Sequence, residues 1–175
     1  MHVSWMIDRL QQFPAALTAM VGTLDPLDAG WRPTPRDWSI LEIVCHLIDE
    51  DLDDFGTRLR LVQEWPTSGW PRIDPEAAAI DRDYCSRWFL GVLDEFLMMR
   101  RAKVGWLPTI AEADVETRAQ RPRPNQPEHE AMSAGDLLAS RCAHDALHPR
   151  RIVRRLHRLT DHHAGSRGVG CAGGG

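Results

Sequence analysis

Among the eight histidines, His144 and His148 have a spacing that could do chemistry. Residues four apart on an α-helix sit one turn apart on the same face, close enough for two imidazoles to share one metal ion. At 100° per residue both fall on the side of Leu137 and Ile152, which turns them inward, where an unpaired polar ring is costly. Two arrangements would satisfy their nitrogens: a metal ion, or a pair of core histidines hydrogen-bonded to carbonyls or to Asp145. A metal needs a third ligand, and His46 is the candidate. Its wheel position lies outside the main apolar stripe of its helix, beside Glu42, Glu50 and Asp53. That reads either as a surface histidine among acids or as a ligand at a bundle edge approached from a cleft, with a carboxylate to orient its second nitrogen. Three imidazoles around one ion leave a coordination position for water or substrate, the arrangement of catalytic rather than structural sites. An ion so held acidifies bound water or takes a thiol as thiolate. Of the other histidines, His2, His129, His162 and His163 read as solvent-exposed, and His157 as a cation at a helix end.

These residues must be positioned by helices. The chain shows no sustained period-2 alternation and no Asn-Gly or Asp-Gly hairpin turn. A first helix is expected from about Ser4 to Leu24, with Leu10, Phe13, Leu17, Val21 and Leu24 at spacings of three and four and Pro14 kinking or dividing it. The second opens on a capping box, Ser39 with Glu42, and ends near Gln63. A loop follows from Trp65 to Pro75. The third helix spans roughly Asp83 to Lys103, with Trp88, Val92, Phe96 and Met99 on one side. The Pro-rich stretch Arg121 to Pro127 is loop, with a short helix opened by Pro108 before it. The fourth opens on Ser133 with Asp136 and continues to about Leu159. Arg150, Arg151, Arg154, Arg155 and Arg158 crowd its last turns, as a solvated face matched to the helix dipole or as an anion site. The seven tryptophans read mostly as core, Trp38 beneath the start of helix two and Trp88 within helix three. The sum is an all-α four-helix bundle with long connecting loops over residues 1–162. Residues 163–175 form a Gly-rich tail expected to be disordered: Gly165 to Gly175 holds six glycines.

Composition narrows the function. A chain of 175 residues is one domain with room for a core. A net charge of −4 lacks the basic face a nucleic-acid binder needs. Leu10 to Leu24 is too short and too polar to span a membrane, and no basic-then-apolar leader opens the chain. Four scattered cysteines without a CxxC spacing suggest neither a disulfide framework nor a zinc knuckle, so a reducing cytoplasm is expected.

Taken in order, Trp38-Ser39-Ile40-Leu41-Glu42-Ile43-Val44-Cys45-His46-Leu47, then Gly135-Asp136-Leu137-Leu138 and His144-Asp145-Ala146-Leu147-His148, resemble the DinB/YfiT-like superfamily. Its pattern is a W-S-x-x-E-x-x-x-H-L helix start and a late H-D-x-x-H helix, and the match runs from the Trp31 region to about Leu159. The resemblance implies a four-helix bundle, often dimeric, in which His46, His144 and His148 hold a divalent metal (Zn, Ni, Fe or Mn). Activities in the superfamily include metal-dependent hydrolysis and thiol transfer or isomerisation with low-molecular-weight thiols such as bacillithiol or mycothiol. A small-molecule substrate, a thiol cosubstrate and a homodimer are the expectations that follow, against the alternative of a non-catalytic metal-binding or stress-response bundle. Glu50, one turn after His46, and Asp51, where relatives often carry an acid, are the candidate general bases. Their alternative is a solvated acidic face made by Asp49, Glu50, Asp51, Asp53 and Asp54. Asp145, on the buried side of helix four, is the candidate orienter of a ligand. The chain departs from the family pattern at Pro149 and Arg151, where Leu and Gln are frequent, and Pro149 predicts a kink beside His148.

Overall fold

The computed structural model describes residues 2–64, 70–107, 132–165 and 169–170. The Pro-rich stretch Arg121 to Pro127, the short helix expected at Pro108, Trp65, His129 and Cys171 lie outside the described residues.

Helix α1, Val3–Val21, is continuous through Pro14 and buries Val3, Met6, Leu10, Phe13, Leu17 and Val21, its apolar residues at three- and four-residue spacing. A short α2, Pro26–Ala29, and a two-residue strand β1, Trp31–Arg32, occupy the connection. Ser39 and Glu42 form the expected capping box, which starts α3, Ile40–Asp49. The helix then passes through a π-helical turn, Glu50–Asp54, into α4, Phe55–Glu64. A short α5, Pro75–Asp81, is capped by the Asp74 carboxylate. Helix α6 is Phe89–Trp106, starting later than the expected Asp83 because Tyr84–Ser86 forms a separate 3₁₀ turn. The second capping box, Ser133 with Asp136, opens α7, Ala134–His163, which runs through Pro149 unbroken and past the expected end at Leu159. Strand β2, Val169–Gly170 of the tail, pairs antiparallel with β1, Trp31 opposite Gly170.

The long helices form the expected all-α four-helix bundle. Helix α1 packs on α6 and α7, α3 on the same two, and α4 on α7. Helix α3 is covered on every side: all residues from Ile40 to Ile48 are buried. The apolar core has two parts. One joins Phe13 and Leu17 to Ile40–Ile48, Phe89–Phe96 and Ile152. The other joins Val3–Leu10 to Leu59, Val62, Val104 and Leu137. Between them along each of α3/α4, α6 and α7 lie buried charges: Asp51, Arg100, Arg141 and Asp145. The tryptophans do not form the core. Trp88 caps α6 and is 65% exposed, Trp5 is 49% exposed, and no described tryptophan is buried. The buried core is aliphatic with Phe and Tyr84 instead, and the indoles lie at helix ends and loops, with Trp38, Trp70 and Trp106 packed against its edge.

The π turn sets what the acidic run faces. The Phe55 amide donates to the Glu50 carbonyl, and Thr57 Oγ1 donates to the Leu52 carbonyl at 2.9 Å. The result buries Glu50, Asp51 and Asp54 and leaves Leu52 exposed. Gly56 permits it, because a Cβ there would collide with the Asp51 carbonyl oxygen. Gly56→Ala is therefore expected to cost about 1–3 kcal/mol, as overpacking does, read as a lower midpoint in urea unfolding. A wild-type midpoint would mean the turn does not need glycine.

Candidate metal centre

His46 is the seventh residue after the Ser39 cap, and His144 and His148 come from the middle of α7, one turn apart. The three imidazoles converge. One donor atom from each lies within 4.8 Å of the others. Ring centroids are 5.3 Å for His46–His144, 5.1 Å for His46–His148 and 4.5 Å for His144–His148. The alternative of a surface histidine does not hold for His46, which is 6% exposed. The helical wheel misplaced it because α3 has no solvent face. The Trp38 ring stands edge-on to His46 at 5.1 Å, and Phe55 lies 5.7 Å from His144.

The donor chemistry fits a divalent ion. Nε2 of His144 and Nε2 of His148 are 3.2 Å apart, and two nitrogens about 2.0–2.1 Å from a tetrahedral ion would be separated by roughly 3.3 Å. All three rings are held neutral, as ligation requires. His46 is lowered to about 4 by burial and by Arg141 and Arg151. His144 is lowered to about 2 by burial, Arg141 and the other two rings, and His148 to about 3 by burial and His46. Nδ1 of His148 is buried with no hydrogen-bond partner among the described residues, so only Nε2, toward the cluster, is engaged.

The two candidate bases go to different places. Glu50 lies against the histidines, 3.7 Å from Nδ1 of His46 and 3.8 Å from Nε2 of His144. Burial, then the charge and hydrogen bond of Asp54, raise its carboxyl to about 7. Asp51 turns away into the charged layer, accepting from Arg100 Nε at 2.6 Å and pairing with Arg141 Nη2 at 2.8 Å. Asp145 joins that layer through Arg100 Nη1 at 2.5 Å and Arg141 Nη2 at 3.2 Å. Its link to the three histidines runs through Arg141, whose Nη1 lies 2.8 Å from Nδ1 of His144. The solvated acidic face is thus only partial, since Asp53 pairs with exposed Arg82 while Glu50, Asp51 and Asp54 are buried.

Arg100 and Arg141 were missed in the sequence, though each interrupts a buried stripe: Phe96–Arg100–Val104 on α6, and Leu137–Arg141–Asp145–His148 on α7. A charge at an apolar-face position is the signal that would have found them. In the Arg-rich end of α7, Arg155 donates to the Trp38 carbonyl at 2.7 Å and pairs with Asp37, tying α7 to the entry of α3, while the other four arginines are exposed.

A cleft of about 450 Å³ opens beside the cluster. His46, Asp49, Glu50 and Asp53 form one wall, and the segment from Pro71 to Tyr84 forms the other. Arg82 bridges the walls, 2.5 Å from both Asp49 and Asp53. Tyr84, which donates to Asp49, is brought there by Asp83, whose φ of 45° is left-handed.

The chain belongs to the DinB superfamily, whose family model matches residues 9–152. Its fold is similar to that of YfiT from Bacillus subtilis, described as a probable metal-dependent hydrolase with an unusual four-helix bundle topology. The TM-score is 0.77 at 18% identity, over 90% of this chain and 87% of that one. No curated protein matches the chain in sequence. Among the described residues no helix is long and apolar enough to cross a membrane.

Proposed function

We propose that the protein is a metal-dependent enzyme of the hydrolase type, with His46, His144 and His148 as the ligands of a divalent ion and Glu50 as the proton-carrying group. The convergence of three neutral imidazoles on one point, two of them buried and His144 half-buried, with Glu50 against them, is the observation that carries this. When bound, the ion supplies Lewis acidity to a substrate oxygen and acidifies water or a thiol. The cleft admits a small molecule to His46 and Glu50, and the bridge of Arg82 across its walls limits how wide it opens. In the metal-free protein burial and Asp54 raise the Glu50 carboxyl to about 7; a cation bound beside it would favour the ionised form, which accepts a proton. Asp51, saturated by Arg100 and Arg141, supports the centre without acting as a base. The same vacant position would take a thiolate, so thiol transfer is the finer alternative chemistry. Membership of the DinB superfamily and the likeness of the fold to YfiT, described as a probable metal-dependent hydrolase, support the hydrolase reading.

The test is metal analysis of protein purified without a histidine tag, expected to find about one ion per chain, lost in His144→Ala. Ester and amide hydrolysis should vanish on chelation and return on reloading; bimane conjugation of a low-molecular-weight thiol reads the transferase arm. Absence of stoichiometric metal in the wild type would overturn the proposal. A cation among the rings also displaces the Glu50 proton. Metal titration at pH 7, where a carboxyl of pKa about 7 is half protonated, is therefore expected to release about half a proton, by calorimetry in buffers of different ionisation enthalpy, and none in Glu50→Gln. Equal release in both proteins would remove Glu50 from this role.

A further inference from the structure

We propose that Arg141 is a positioning residue that sets the metal affinity of the centre, by holding His144 in the tautomer that cannot ligate. This rests on the three histidines being metal ligands. A guanidinium has donors only. Its Nη1, 2.8 Å from Nδ1 of His144, therefore requires that Nδ1 accept, and a neutral ring then carries its proton on Nε2. That atom is the one facing the cluster, 3.2 Å from Nε2 of His148. Two Nε2 atoms so placed form a hydrogen bond only if one donates and one accepts. With His144 donating, His148 accepts at Nε2 and carries its own proton on Nδ1, the buried atom that has no partner among the described residues. His148 is thus already in the ligating form and His144 is not.

For Nε2 of His144 to ligate, its proton must pass to Nδ1. Arg141 must release that atom first, because a protonated Nδ1 and a guanidinium N–H cannot share one hydrogen bond. No net proton leaves the ring. Burial and charge rather than further hydrogen bonds hold Arg141: it is 4% exposed, its Nη2 lies at ion-pair distance from Asp51 (2.8 Å) and Asp145 (3.2 Å), and its guanidinium carbon lies 5.3 Å from the Phe55 ring. Metal entry is coupled in this way to the charged layer, and the energy of one charge-assisted hydrogen bond is subtracted from the affinity.

The test combines a spectrum and a titration. Nitrogen-15 spectra of the histidine rings in chelator-stripped wild-type protein are expected to show His144 protonated at Nε2 and His148 at Nδ1, and after Zn²⁺ addition His144 protonated at Nδ1. The affinity arm compares Asp51→Asn with Asp51→Asn/Arg141→Met, the second substitution removing the donor while the first keeps the buried layer near charge balance. Competition titration with Zn²⁺ is expected to show roughly tenfold or tighter binding in the double variant. Metal-free His144 protonated at Nδ1, or binding no tighter in the double variant, overturns the role of Arg141 while leaving the metal centre standing. No Zn²⁺ binding by the wild type overturns the metal reading and this inference with it. The spectrum needs no substitution, so poor folding of a variant does not spare the proposal.

Discussion

Arg100→Met is expected to be among the most destabilising single substitutions in the chain. Arg100 is 2% exposed and bonds Asp51 at 2.6 Å and Asp145 at 2.5 and 3.2 Å, with its guanidinium against the rings of Phe96 and Phe13. Removing it leaves two buried carboxylates to share Arg141, whose charge burial disfavours and Asp145, Asp51 and Glu50 favour. Breaking a buried pair by deleting one partner costs about 3–5 kcal/mol, which for a domain of this size lowers the melting temperature by about 6–20 °C. Methionine restores most of the lost volume, so the loss measures charge. Adding Asp145→Asn should recover part of it, because one orphaned charge is then removed as well. A melting temperature within a degree or two of wild type for the single variant would show that the layer relaxes or takes up water.

Acid should unfold the metal-free protein well above the pH at which ordinary carboxylates protonate. In the unfolded chain the three histidines take up protons near 6.5, whereas in the fold His46 resists to about 4, His148 to about 3 and His144 to about 2. Below 6.5 the unfolded state therefore binds more protons, and stability falls with falling pH. For His46 alone that shift corresponds to about 3 kcal/mol, largely lost by pH 4. Glu50 acts in the opposite sense. Its raised value, about 7 against 4.5, makes the folded state the better proton binder between those limits, so its contribution is present at low pH and lost as pH rises through 7. One carboxyl against three imidazoles leaves the descent toward acid dominant, and below pH 4.5 nothing opposes it. Urea unfolding of chelator-treated protein at pH 7.5, 6 and 5 reads the slope, which His148→Phe should flatten. A stability independent of pH over that range would mean the rings are protonated or hydrated in the fold.

Much of the architecture was legible. The two capping boxes at Ser39 and Ser133 gave helix starts to the residue, because cap chemistry is local. The pairing of His144 with His148 followed from one helical turn. What failed was whatever depends on tertiary surroundings. His46 looked peripheral because a wheel assumes one solvent face, and α3 has none. Trp88 looked internal because its type was weighted over its position at the entry of α6. The π turn at Glu50–Asp54 has no signature in its residue types, and only Gly56 hints at close backbone approach. The division of labour between Glu50 and Asp51 depends on that turn, so adjacent acids with the same apparent prospects ended apart, one against the histidines and the other on Arg100 and Arg141.

The split core has a consequence for how the molecule can change. Its two greasy halves are bridged by α1 but parted by a seam of ions along α3/α4, α6 and α7, so a methylene lost near Leu17 and one lost near Val62 should be felt separately and sum. Drift, repacking or thermal hardening can proceed in either half as though the other were absent. Across the seam no such independence exists: each member there is counted on by two others, and substitutions are tolerated only in matched sets.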